Sequence, residues 1–573
     1  MIGTKEKVPS EIAYLPNGDI KWGSLIAPHV WRYQWTKLEL DPRRTGFGDG
    51  EVGEDGDAVG DDDDGTEMQQ GIALVPTGSA RQPVDIIADY LKQVKAHLLK
   101  ALDAQYGKEL WRTLPITLVV TVPAVWSDAA KDRTLQAVSK AGFNQSELPQ
   151  LKQTLTTTEP EAAAIYTIKQ LQGSVQAAQL NIGDGFVICD LGGGTVDLIS
   201  YKVAGLEPTL VEEATVGTGD HCGGSFVDRS FLLWLEKRIG AHTFMTIAGC
   251  RAQDISHVAL PPKIGRMLQE FTLSAKSGFS GSELYWLRLP APLSAIEDPE
   301  RGMCDGELLI EAADMMEMFE FSVPRTLRLL SEQLQDARRT GNANIKYIFT
   351  VGGFAESPYM FNRIAEFATS QGYIAVKPAY AWSAVVRGAC TKGLERRIAP
   401  TASSPPTTSS TVLNRKSRRH YGTVCNRKFV AGKHRLAESY MCPYTGTWRA
   451  DQQADWLIHQ GQVLSTAPGS VHGKITFFYS FWEDHKRVVT VPLLASDRVS
   501  APTRARDQHV YKVAELRIDL TCVPKDMFVA QRSPQGKPYH TLSYEVEIVV
   551  SSVLEFSLTV NEKRYGSVTA KYM

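Results

Sequence analysis

The chain has 573 residues, 43% of them hydrophobic and 22% charged, enough for several cores at roughly 150 residues per domain. A formal net charge of −2 supplies no global basic field, which excludes nucleic acid as an expected partner. The N-terminus MIGTKEKVPSEIAY lacks a charged-then-apolar signal pattern and no apolar run approaches the ~20 residues of a membrane span, so no membrane partner is expected either.

In chain order, GDGEVGEDGDAVGDDDDGTE at 48–67 is too acidic and glycine-rich to bury apolar surface, and predicts a solvated, disordered insertion. VDIIADYLKQVKAHLLKAL then reads as a helix, PITLVVTVPAV as a buried strand, and SDAAKDRTLQAVSKAGF as a helix capped by Ser127 or Asp128. This alternation predicts an α/β sheet fold. Further on, VPRTLRLLSEQLQ sets Val323, Leu327, Leu330 and Leu334 on one helical face, and KYIFTVGGF supplies another buried strand. The stretch APTASSPPTTSSTVLNRKSRRHYG at 399–422 reads as a Pro/Ser/Thr-rich linker whose basic cluster, Arg415, Lys416, Arg418 and Arg419, is a solvated end. Beyond it ITFFYSFW, RVVTVPLL, AELRIDLTCV, YEVEIVV and LEFSLTV predict a β-rich module. The eight cysteines form no CxxC pair and read as reduced thiols of a cytoplasmic or nuclear protein, with Cys189 and Cys390 as core filler. His420, Cys425, His434 and Cys442 fit no common zinc spacing.

The stretch FVICDLGGGTVDLISYKV carries the chemistry. Gly192, Gly193 and Gly194 can present bare backbone amides to phosphate oxygens, with the Thr195 hydroxyl as a further donor. A bound phosphate brings Mg²⁺, and Asp190 before the turn and Asp197 after it suit such a metal, Asp190 acting through water. The same pattern also fits a tight β-hairpin whose glycines only supply positive φ and whose acids face solvent.

Four stretches in order, ITLVVTVPAVWSDAAKDRTLQAVSKAGF, TEPEAAAIY, VICDLGGGTVD and FTVGGFAESPYMFNRI, linked by GTGDHCGGSFVDR, resemble the ATPase domain of the heat-shock 70 kDa chaperone family, in its divergent protein 12-like branch. The resemblance covers residues 9 to about 395. It implies a two-lobed actin-like (ribonuclease H-like) ATPase fold binding ATP with Mg²⁺: a first lobe over 1–181, a second over 182–350, a return to the first over 351–398, the linker, and the β-rich module over 423–573. It also implies that Gly192, Gly193, Gly194 and Thr195 form a phosphate loop and that Glu159, Asp190 and Asp197 order metal and water. Gly352 and Gly353 would let adenosine approach the backbone, and Gly223 and Gly224 would line the cleft. Lys276 matches a ribose-touching lysine, although a surface lysine on a helix fits as well. Lys37 aligns loosely with the family's catalytic lysine and also fits a helix surface.

The departures from the pattern are informative. The family's first phosphate loop has no counterpart before KVPSEIAY, which implies hydrolysis weak or absent, a pseudoenzyme scaffold, or an N-terminally truncated sequence of an active ATPase. Glu356 and Ser277 replace two base-stacking arginines, so adenine selectivity is weakened. Client peptides and co-chaperones are the implied partners, and the absence of helical pattern after the β-runs weakens peptide enclosure. A sugar kinase on the same core is a further reading, disfavoured by TVPAVWSDAA and TEPEAAA.

Overall fold

The computed structural model describes residues 8–27, 30–41, 81–171, 180–206, 209–255, 260–395, 411–467, 469–482, 487–551 and 553–572. The expected acidic insertion at 48–67 and the first part of the expected linker, 399–410, lie outside them.

The first lobe opens with an antiparallel hairpin, β1 (Ile12–Tyr14) and β2 (Ile20–Trp22). Helix α1 (Pro83–Tyr106) follows, with proline in its first turn, where the missing N–H leaves no bond unmade. Strand β3 (Ile116–Val122) then pairs in parallel with β4 (Leu151–Thr158) around α2 (Asp128–Lys140). Ser127 caps α2 by accepting the Ala130 N–H at 3.2 Å. Helix α3 (Glu159–Leu171) leads into the second lobe.

The second lobe is built on one mixed sheet. Strand β5 (Asp184–Leu191) is buried at every residue, as a strand covered on both faces must be, and it runs antiparallel to β6 (Val196–Leu206). On one side follow β7 (Thr209–Glu213) and the short β8 (Thr218–Asp220), which also pairs with β6. Helices α4 (Gly224–Ile239), α5 (Ala241–Ala248) and α6 (Pro262–Phe271) come next, then a three-stranded sheet of β9 (Tyr285–Arg288), β10 (Met303–Cys304) and β11 (Glu307–Ile310), then α7 (Ala312–Phe319) and α8 (Ser322–Thr340). On the other side of β5 lie β12 (Asn344–Val351) and β13 (Ile374–Val376), both parallel to it, with α9 (Pro358–Ser370) between them. The chain therefore stays with the second sheet beyond residue 351, and its return to the first lobe comes with α10 (Ala384–Glu395), which packs on α3 and β3.

One face of the sheet, with Val187, Cys189, Leu191, Val196 and Leu198, packs on α4–α9. The opposite face, with Phe186, Ile188, Ile199, Tyr201 and Phe349, packs on α3 and Ala384 of α10. The helical face expected for α8 is observed: Val323, Leu330 and Leu334 are buried and Leu327 packs beside them. Cys189 is core as expected, whereas Cys390 is exposed.

After the linker the chain does not leave the ATPase-type domain at once. Strand β14 (Val412–Lys416) adds in parallel to β7, placing a piece of the expected linker inside the second-lobe sheet. The remaining strands are β15 (His420–Lys428), β16 (Ser439–Met441), β17 (Trp448–Ile458), β18 (Val463–Ser465), β19 (Gly473–Trp482), β20 (Val488–Ser496), β21 (Tyr511–Asp519), β22 (Val529–Arg532), β23 (Pro538–Val550), β24 (Leu554–Val560), β25 (Lys563–Ser567) and β26 (Thr569–Tyr572). Strand β18 caps β14, and the others form two facing sheets over one core containing Leu516, Ile518, Tyr544, Val546 and Ile548. The C-terminal module is thus β-rich, as its alternating pattern predicts. It rests on α2, where the buried Tyr421 hydroxyl donates to Asp128 Oδ2 at 3.1 Å. No helix among the described residues is long and apolar enough to cross a membrane.

The basic cluster is not a solvated linker end. Arg415 donates to Glu161 at 2.7 Å, Arg418 to the Gly217 carbonyl at 2.7 Å, and the Lys416 N–H to Glu213 at 2.6 Å. The buried Glu161 on α3 and the half-buried Glu213 on β7 draw the arginines in, because a charge is tolerated away from water only when paired. Burial, reinforced by Glu161, pushes the Glu213 carboxyl up to about 7, against the pull of the Lys416 amide and the Arg418 and Arg415 guanidiniums. A folded-state value above the unfolded one means that the folded form prefers the proton. Glu213 therefore contributes stability that is present below its ordinary range and lost as pH rises through about 7. The variant Glu213→Gln should lose less stability than wild type between pH 5 and 8, and melt roughly 2–4 °C higher at pH 8 in thermal scans.

Candidate nucleotide site

The site begins where β5 ends. Asp190 and Asp197 face each other across the β5–β6 ladder, and the chain reverses between them with the Gly192 N–H donating to the Thr195 carbonyl at 2.9 Å. The three glycine carbonyls are all taken. Gly192 accepts from the Gly224 N–H at 3.1 Å, Gly193 from the Ser225 N–H at 2.7 Å, and Gly194 from the Gly223 N–H at 3.3 Å. They satisfy amides that the start of α4 would otherwise leave unpaired. In a planar trans peptide the N–H points opposite to the preceding carbonyl. Carbonyls turned toward α4 therefore carry the N–H groups of Gly193, Gly194 and Thr195 to the other side, as a row of donors. The close seam needs glycine at 223, where a Cβ would stand 2.6 and 2.7 Å from the Gly193 and Gly192 carbonyl oxygens.

Two carboxylates flank this row. Asp190 and Asp197 are 5% and 1% exposed, which rules out the reading of a hairpin with solvent-facing acids. Burial, and then the charge of Glu159, raise the Asp197 carboxyl to about 6, opposed by Arg418, the Thr195 hydroxyl and the Val125 N–H, which lies 3.2 Å from its Oδ1. From the first lobe, Glu159 at the start of α3 forms an ion pair with Lys37, whose ammonium also lies 5.5 Å from the Trp126 ring centroid. The neighbouring Leu38 packs directly on Gly194. The structure thus brings Lys37, Glu159, Asp190, Asp197 and the glycine turn to one place between the lobes.

The far wall holds the remaining predicted residues. Gly352 adopts φ +91° at the end of β12, with its bare side against the Leu191 carbonyl and Asp190 Oδ1. Gly353 is exposed beside it. Lys276 sits in a π-helical turn, Thr272–Lys276, with its ammonium 2.6 Å from both the Gly224 carbonyl and Asp228 Oδ1, so it is not a free surface lysine. Glu356 is paired with Lys377 at 3.0 Å, and the Ser277 hydroxyl donates to the Leu273 carbonyl at 2.7 Å. Neither presents a cationic plane.

Sequence reasoning missed the role of Arg418, a guanidinium near the end of the expected linker whose charge acts on both Asp197 and Glu213. Only the basic cluster itself signalled it, and its inward position depends on acids some 200 residues away. The donor set fits a hydrated divalent cation on an anion: a row of amides for oxygens, Asp190 for metal-bound water, and Lys37 for residual charge.

The chain is similar to known proteins. Residues 77–397 match the family model described as Hsp70 protein. The chain is 24% identical over 524 residues to Heat shock 70 kDa protein 12A of Homo sapiens, covering 80% of this chain and 72% of that relative. It is 25% identical over 369 residues to the Chaperone protein HscA homolog of Cupriavidus metallidurans, covering 64% of this chain and 49% of that one. Heat shock 70 kDa protein 12B of Homo sapiens is 23% identical over 414 residues, or 62% of this chain and 57% of the relative.

Proposed function

This chain belongs to the Hsp70 family, and on that premise we propose that its two lobes close on a magnesium-bearing nucleoside triphosphate. The observation that carries the reading is the common direction of the Gly193, Gly194 and Thr195 amides, bracketed by two buried carboxylates. The amides hold the terminal phosphates, and Asp190 orients the water shell of Mg²⁺, which supplies charge neutralisation when bound. Glu159 and Asp197 position water at the phosphate end, and Lys37, paired to Glu159, adds a positive charge there. From the first lobe this tied pair reaches the phosphate end together with the Val125 N–H, which donates to Asp197. In this reading hydrolysis is slow relative to binding, because the Lys37–Glu159 ion pair occupies both groups. Lobe closure would be passed to the β-rich module through β14, and a client peptide bound by that module belongs to the same proposal.

Calorimetry of the full chain with Mg-ATP should give a saturable heat. Asp190→Asn should weaken it about tenfold or more, as loss of a group that orients metal-bound water does. Glu159→Gln should lower phosphate release with little effect on affinity. An absence of heat with both Mg-ATP and magnesium tripolyphosphate would remove the reading. A non-catalytic scaffold is favoured by one observation, the closed Lys37–Glu159 ion pair, which occupies both groups. Saturable binding without phosphate release would establish it.

A further inference from the structure

Strands β5, β12 and β13 run parallel, and their carboxyl ends carry Asp190, the Gly352–Gly353 pair and the segment Pro378–Ala381 in adjacent positions. In open α/β sheets this is the edge where ligands bind. At its outer end stands Tyr380, a 58% exposed aromatic ring on a backbone of φ +53°, ψ 37°, a left-handed conformation that a tyrosine rarely adopts. The neighbours fix it there. Its carbonyl accepts the Ser383 N–H at 2.9 Å and the Ser383 hydroxyl at 3.1 Å, while the carbonyl of Ala379 accepts the Tyr166 hydroxyl at 2.8 Å. One face of the ring carries the Arg387 guanidinium, 4.9 Å from the centroid, and Arg387 is itself pinned to Ser383 Oγ at 2.8 Å. The Gly352 N–H donates to the Ala381 carbonyl at 3.0 Å, so the segment that carries Tyr380 is tied to the glycine whose bare side faces Asp190 Oδ1. Strain held by this many contacts at an exposed aromatic marks a functional position.

The polar side chains nearby are spent. Lys276 is bound to Gly224 and Asp228, Glu356 to Lys377, and Ser277 to the Leu273 carbonyl. None of these three is left to read the hydrogen-bonding edge of a base, whereas an aromatic face accepts any base because every base has a π-face.

We propose that Tyr380, backed by Arg387, is the stacking platform for the nucleobase, and that the site selects a nucleoside triphosphate without discriminating among bases. The proposal rests on the triphosphate reading above and specifies its base end. The test is calorimetry of the full chain with the magnesium forms of ATP, GTP and inorganic tripolyphosphate, on wild type, Tyr380→Ala and Tyr380→Trp. Wild type should bind ATP and GTP within about threefold of each other and both more tightly than tripolyphosphate. Tyr380→Ala should weaken both nucleotides about tenfold or more and leave tripolyphosphate unchanged, and Tyr380→Trp should retain both. Unchanged tripolyphosphate binding also shows that the alanine variant is folded. Three results overturn the platform while the phosphate cradle stands: nucleotide affinity indifferent to Tyr380→Ala, ATP preferred over GTP by more than about thirtyfold, or tripolyphosphate binding as tightly as ATP. If wild type binds none of the three, the triphosphate reading fails and the platform with it.

Discussion

Gly388→Ala is expected to force α10 away from α3 within the first lobe. Gly388 lies on α10 where it crosses α3, and a Cβ there would overlap the Ala162 carbonyl oxygen and stand 3.2 Å from the Tyr166 N–H nitrogen. Both obstacles are main chain and cannot rotate away, so the helices must separate along a seam in which Ala162, Ala163 and Ala164 are fully buried. Overpacking by one methyl group usually costs about 1–3 kcal/mol, and a backbone collision at a helix crossing belongs at or above the top of that range, about 4 kcal/mol. The same substitution at Gly393, one to two turns along α10, meets only Val119 Cγ2 at 3.1 Å, a side-chain methyl that can shift. Urea unfolding should show a large fall in midpoint for Gly388→Ala and a small one for Gly393→Ala. Equal midpoints would show that the α3–α10 crossing is not closely packed.

The second large effect is expected from Glu161→Ala. Glu161 is 2% exposed and paired with Lys392 of α10 and Arg415 of β14, so one carboxylate joins three elements. Burial alone would raise its carboxyl, but Arg415 and Lys392 outweigh it and hold the group down to about 2. The folded form prefers the charge. This contribution is present above the carboxyl's ordinary value and lost as pH falls toward about 2. Alanine would remove the carboxylate shared by two largely buried cations, each side chain 16% exposed, a loss of about 3–5 kcal/mol. Replacing Glu161 and Arg415 together by methionine should recover part of it, because the pair's desolvation disappears with its attraction. Urea titrations of the single and double variants at pH 7 measure both, and a single variant as stable as wild type would show that the cluster holds nothing together.

Much of the fold was legible from periodicity. The helical stripe of VPRTLRLLSEQLQ, the apolar runs of β3, β5 and β12, and the alternation of LEFSLTV each follow from burial on one face or two, which local sequence encodes. The glycine turn was legible as well, since three glycines between two acids leave few structural uses, though the direction of its amides depends on α4, some 30 residues further on. The basic cluster was misjudged because solvated and buried arginines look alike without their partners. Glu161 and Glu213 are distant in sequence, and only the sheet brings them to Arg415 and Arg418. Tyr380 gave no signal at all, because its meaning lies in a backbone angle and in the glycine beside it.

The pairing of β14 with β7 also has a mechanical consequence. Val412 and Asn414 are in register with Val211 and Glu212, while β18 grips the other side of the same strand. Tension applied to the β-sandwich runs along β14, so its hydrogen bonds on both flanks carry the load together in shear rather than tearing one after another. Pulled from its far end, this protein should hold at the junction and yield first elsewhere.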